Sequence, residues 1–118
     1  MKTHRDDERR RKTQARTGWS DSETISLIGT YDAMLLLQQA GKLGRNKSAG
    51  QTSKAVLVRA WMAENAPNRS KGSVAAKLMN LSAVRVELGL AIVEGYKPLP
   101  NMATSCRELA TAAWRANS

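Results

Sequence analysis

An all-α fold is what this sequence predicts, and three observations carry the prediction. Apolar residues recur at three- and four-residue steps in four separate stretches. Those stretches open on Ser and close near Gly or Pro, as helices do. The apolar load falls on Ala, Leu and Val, with three Trp, two Tyr and no Phe, a bias suited to closely packed helices. At 118 residues and 42% hydrophobic, the chain has material for one domain and one modest core.

Residues 1–17 carry seven Lys/Arg against Asp6, Asp7 and Glu8, and no large apolar side chain follows Met1. A segment that cannot bury a face is expected to be disordered, and Arg9, Arg10, Arg11 and Lys12 suit an arm that follows a phosphate backbone or simply solubilises the chain. The folded domain is expected to span 18–118. Ser20 and Glu23 form a capping-box pair, so a first helix should start there and run to about Ala40 before Gly41. Its buried stripe is Leu27, Ile28, Tyr31, Met34 and Leu35, with Ile25 and Leu36 widening it.

Residues 41–53 are rich in Gly, Ser and basic side chains, which predicts a flexible basic loop. A second helix, from about Ser53 to Asn65, turns Val56, Leu57, Ala60 and Trp61 inward and ends before Pro67. The short Ala66–Arg69 connection then has the form of a helix-turn-helix turn. The third helix has Ser70 at its N-cap and Gly89 beyond its end, with Val74, Leu78, Leu81, Val84 and Leu88 on one face. Residues 90–101 read as an extended segment crossing the bundle, with at most one short strand and no sheet. A second capping-box pattern at Ser105 to Glu108 predicts a fourth helix with Leu109, Ala110, Ala113 and Trp114 on its apolar side.

The formal charge is +9 and the pI about 10.3, an excess that attracts polyanions before any specific contact forms. Nucleic acid leads the candidate partners, ahead of an anionic membrane surface or an acidic protein. Cys106 is the only cysteine and His4 the only histidine, which removes disulfides, Cys-rich zinc sites and histidine-based catalysis from the folded part. Cys106 is expected to be a buried, inert thiol. The acidic residues are scattered over caps and helix exteriors and make no metal or acid-base pair, so no catalytic residue, metal or cofactor is expected. No apolar run is long enough to span a bilayer, and an intracellular, soluble chain is the expectation.

On the third helix Ser73, Ala76, Lys77 and Asn80 recur at i, i+3, i+4 and i+7, the spacing that sets side chains against base edges in a major groove. Lys77 would read guanine and Asn80 adenine. Arg69, Ser70, Lys71 and Ser73 would meet phosphate at the helix start. Lys42, Arg45 and Lys47 suit phosphate contact or plain solvation equally well. Asn80 has a second candidate use, bonding backbone within 95–101.

The order Trp19-Ser20-x-x-Glu23, long helix, second helix with Trp61, then Arg69-Ser70-x-x-Ser73-Val74 resembles a Myb/SANT-type three-helix domain with an enlarged first loop. Arg69, Ser70, Ser73, Val74, Lys77, Leu78 and Asn80, followed by Gly95, Tyr96, Lys97, Pro98 and Asn101, also resemble the helical DNA-binding region that precedes the nuclease domain of bacterial and phage HNH-type restriction-like endonucleases. Together the resemblances imply a three-helix, Myb/SANT-like helix-turn-helix core, an extended segment and a fourth helix. They imply a double-stranded DNA-binding module without catalysis, reused as a transcriptional regulator or repressor in a phage or mobile element. An inhibitor that binds an acidic host protein, and the DNA-targeting part of a split nuclease, are the alternatives. The sequence leaves a homodimer open.

Overall fold

The computed structural model describes residues 18–115; the expected arm, with Arg9, Arg10, Arg11 and Lys12, lies outside the described residues, as do residues 116–118. Four α-helices follow in order: α1 (Asp21–Gln39), α2 (Lys54–Asn65), α3 (Lys71–Glu87) and α4 (Thr104–Arg115), with a short 3₁₀ turn at Lys47–Ala49. The fold class is all-α, and no strand occurs among the described residues; an isolated bridge joins Leu43 to Thr52. Helix α1 is the hub, packing on α2, α3 and α4, while α4 also lies along α3. None of the described helices is long and apolar enough to cross a membrane.

At the starts of the first three helices the local signals act as the sequence predicts. Ser20 Oγ accepts from Glu23 N at 3.1 Å, and the Glu23 carboxylate accepts from Ser20 N at 3.0 Å, which closes the capping box of α1. Ser53 and Ser70 cap α2 and α3 in the same way, accepting from Val56 N and Ser73 N. Gly89 takes φ +73° just beyond α3, the left-handed turn that releases the chain into the extended segment.

Leu27, Tyr31 and Met34 of α1 are fully buried, with Ile28 and Leu35 beside them. Ile25 and Leu36 do not widen that stripe: they are 56% and 69% exposed. At about 100° per residue both fall on the side of the helix away from Tyr31, where no other described helix packs. Helix α2 buries less than expected. Trp61 is enclosed, and Leu57, Val58 and Met62 pack on the core, but Val56 and Ala60 are exposed because α2 leans mainly on α1.

Helix α3 is covered on more than the predicted face. Val74, Leu78, Leu81 and Val84 are buried as expected, and so are Lys77, Asn80, Ser82, Ala83 and Arg85. The extra cover comes from α4 and from residues 90–103, which run along α3 without forming a strand because side chains take their hydrogen bonds. The Tyr31 hydroxyl pairs with Ser82 Oγ at 2.6 Å and accepts from Val93 N at 3.0 Å. Gln38 spans the same segment, donating to Ile92 O and accepting from Glu94 N. Arg85 donates to Ala91 O and sets its guanidinium 4.8 Å from the Trp114 ring, while Trp114 Nε1 donates to Asp32 at 2.8 Å. Helix α4 starts at Thr104, so Ser105 lies inside its first turn and the expected Ser105–Glu108 capping box does not form. Cys106, Ala110 and Trp114, four residues apart, are the side that α4 buries.

Residues 41–53 are an ordered loop rather than a flexible one. Gln51 donates to Gly41 O and accepts from Asn46 N, the Asn46 side chain caps the 3₁₀ turn, and backbone bonds join Thr52 to Lys42 and Gly44. Polar side chains that bond local backbone hold this loop where an apolar core cannot.

Candidate nucleic-acid interface

Each expected contact residue can be placed by following the cations, since charge carries the expectation. Four of the cations turn inward or pair. Arg69 is held bidentately by Glu23, Nε to Oε2 and Nη2 to Oε1 both at 2.9 Å, and also donates to Gly18 O. Its guanidinium lies 4.3 Å from the Trp19 ring, and Lys77 Nζ lies 5.0 Å from the same ring. Trp19 in turn stacks on Trp61 at 5.6 Å with the planes 19° apart. The Trp19-Ser20-x-x-Glu23 and Arg69-Ser70 motifs therefore meet as a clasp that ties the start of α1 to the start of α3. The Arg69 hydrogen bonds hold the Glu23 carboxyl below the usual carboxylate range. Arg85 is buried on Trp114, and Arg107 pairs with Glu87 and donates to Pro100 O.

Asn80 is buried at 7% exposure, and its Nδ2 donates to Leu99 O at 2.6 Å and Asn101 O at 3.0 Å. Leu99 N adds a bond to Met79 O. This is the bracing use of Asn80, and it corrects the assignment of Asn80 as an adenine reader. Lys77, buried at 7% and turned onto Trp19, is corrected likewise as a guanine reader. Both fail for one reason: the extended segment and the start of α4 cover the stripe. Ser73, Lys77 and Asn80 line a cleft of about 260 Å³ with Trp19, Ala103 and Ser105. Asn80→Ala should lower stability by about 2–3 kcal/mol, because two carbonyls lose their donor. Thermal melts check this, and an unchanged melting temperature would show that the segment holds without Asn80.

Four of the remaining cations gather elsewhere. Arg45 from the ordered loop, Lys54 and Arg59 from α2, and Lys71 from the first turn of α3 line a half-open groove of about 470 Å³. Among the described residues Glu94 is the one acidic residue on its wall, and Val58, Ala75 and Tyr96 contribute apolar surface. Ser53, the N-cap of α2, opens into it, so the positive end of that helix adds to the field. Lys54 is fixed there by donating to Glu94 O at 2.6 Å and by lying 4.7 Å from the Tyr96 ring. Gly95, at φ +94°, permits that approach: any Cβ at this position would collide with Lys54 Nζ.

Of the expected contacts, then, Arg45 and Lys71 share the groove. Lys42 and Lys47 are exposed on the adjoining loop, where Lys42 Nζ donates to Ala49 O. Ser70 spends its hydroxyl on the cap of α3. No sequence pattern marks Lys54 and Arg59 as contacts, because the apolar stripe dominates α2 and both are cations on a helix whose inward face excludes them. Among the described residues no cluster of three or more His, Cys, Asp or Glu is poised to hold a metal ion. Burial pushes the Cys106 thiol up, as befits an unreactive core cysteine. Comparison with known proteins finds no significant match to a family model, a curated protein or a solved structure.

Proposed function

We propose that this chain binds double-stranded DNA through the basic groove and acts as a non-catalytic regulator that occupies its site. The observation that carries the reading is the convergence of Arg45, Lys54, Arg59 and Lys71, from three separate segments, on one groove with a single acidic neighbour among the described residues. Four cations at one surface, beside a helix N-terminus, form a site for successive phosphates. The cationic tail at residues 1–17 would extend the contact along the backbone.

The helix-turn-helix reading belongs to this proposal in a modified form. Helices α2 and α3 and the turn between them have the right order, and the start of α3, with Lys71 and Ala75, borders the groove. Recognition helices contact bases chiefly through their N-terminal residues. Base reading would therefore fall to the start of α3 rather than to Lys77 and Asn80. The descent from an endonuclease DNA-binding region, and a role in a phage or mobile element, rest on the resemblance of the Arg69–Asn80 and Gly95–Asn101 motifs.

Binding of the full chain to a labelled duplex, measured by fluorescence anisotropy over a salt series, tests the reading. Four groove cations and the tail should give a log–log slope of about −4 or steeper, near −0.9 for each phosphate neutralised. A slope near zero, or equal affinity for an acidic polypeptide, would replace DNA with a protein partner.

A further inference from the structure

Helix α1 packs inward on three sides, yet its fourth side is apolar and is not covered by any other described element. Ser22, Ile25, Gly29, Ala33, Leu36 and Ala40 follow one another at three- and four-residue steps and are all exposed. Ile25 and Leu36 stand out at 56% and 69% exposure. No charged residue lies in this row, although the chain carries +9. Residues 1–17 offer no large apolar side chain beyond Met1 to cover it. A cationic partner surface would gain nothing from an uncharged row, and an anionic one would be drawn to the groove instead.

We infer that the row is a homodimer face on which two copies of α1 pack antiparallel about a twofold axis near Tyr31. Charge complementarity at the ends selects the second copy and its direction. Asp21 is exposed at the N-terminal end, and Lys42 is exposed just beyond the C-terminal end. In the antiparallel arrangement Asp21 of one copy meets Lys42 of the other, twice over; a parallel pair would set like against like. The apolar residues match under the same axis. Ile25 falls opposite Leu36, and Gly29 opposite Ala33, so the two backbones approach at the centre. A Cβ built on Gly29 meets nothing within 4 Å in its own chain, so the space there is open to a partner. Antiparallel packing also sets opposite helix-dipole ends together. One helix pair buries less than a standard interface, so the dimer should be weak and reversible.

Sedimentation equilibrium of the full chain at about 10–500 µM, the range for an interface of this size, is the test. A monomer–dimer equilibrium is expected. Gly29→Arg should keep the helical circular dichroism and not lower the melting temperature, since Arg favours a helix over Gly, while raising the dimer dissociation constant at least about tenfold, because a charge then sits in an apolar seam. Lys42→Glu should weaken the dimer several-fold, and Asp21→Lys combined with Lys42→Glu should restore it. A wild-type chain that stays monomeric throughout overturns the inference. So does a dimer indifferent to Gly29→Arg, which would use another surface, and failure of the charge swap overturns the antiparallel direction. None of these outcomes depends on DNA binding.

Discussion

Trp61→Ala should destabilise the domain by about 3–5 kcal/mol, enough to leave a chain of this size partly unfolded at room temperature. Trp61 is only 4% exposed and supports more than its own volume. Its indole is the floor on which Trp19 stacks, and Trp19 is in turn the surface on which Arg69 and Lys77 rest. Trp61 Nε1 also donates to Ser26 at 2.9 Å, and Ser26 continues to Asn65, which bonds back to Trp61 O. Removing the indole opens a cavity, exposes one face of Trp19 and loosens the Glu23–Arg69 pair. Urea melts monitored by circular dichroism measure the loss. Trp61→Phe keeps a ring in the stack and gives up the hydrogen bond, so it should cost only about 1–2 kcal/mol. A loss below about 1 kcal/mol for the alanine variant would mean that the clasp is an ornament on an independently stable core.

What the sequence made legible follows from the range over which each interaction acts. Ser20 and Ser70 were readable as caps because a cap joins residues three apart, and Gly41 and Gly89 as stops because the left-handed turn is a local requirement. The inward stripes of α1 and α3 were readable from periodicity. Periodicity does not say how many sides of a helix are covered. The cover on α3 is supplied by residues far along the chain, and Asn80 is a brace because Leu99 and Asn101, 19 and 21 positions on, arrive beside it. Arg69 has the sequence context of a phosphate contact, at the start of a helix in a basic chain. Its partner Glu23 lies 46 residues earlier, a pairing that no local pattern reports. Composition misled at residues 41–53, where Gly, Ser and Lys suggested flexibility while Asn46 and Gln51 bond the backbone into order. The same limit hid the groove, because Arg45, Lys54, Arg59 and Lys71 belong to three segments that meet only in the fold.

Reversing two charges of that groove should have the largest effect on binding. Arg45 and Arg59 are both exposed, and neither supports the fold through any described hydrogen bond, so Arg45→Glu with Arg59→Glu should fold normally. Each substitution removes a phosphate partner and adds a repulsive carboxylate beside Lys54 and Lys71. Affinity for duplex DNA at about 0.1 M salt should fall on the order of a hundredfold, and the salt slope should flatten by about two. The comparison that matters is with Lys97→Glu and Arg115→Glu, which change net charge equally at exposed positions outside the groove. Anisotropy titrations of these two double variants against one duplex are the most direct measurement. The groove account predicts that the Arg45/Arg59 variant loses binding at least about tenfold more than the Lys97/Arg115 variant; equal losses would contradict it by showing that overall charge, and no particular surface, attracts the DNA.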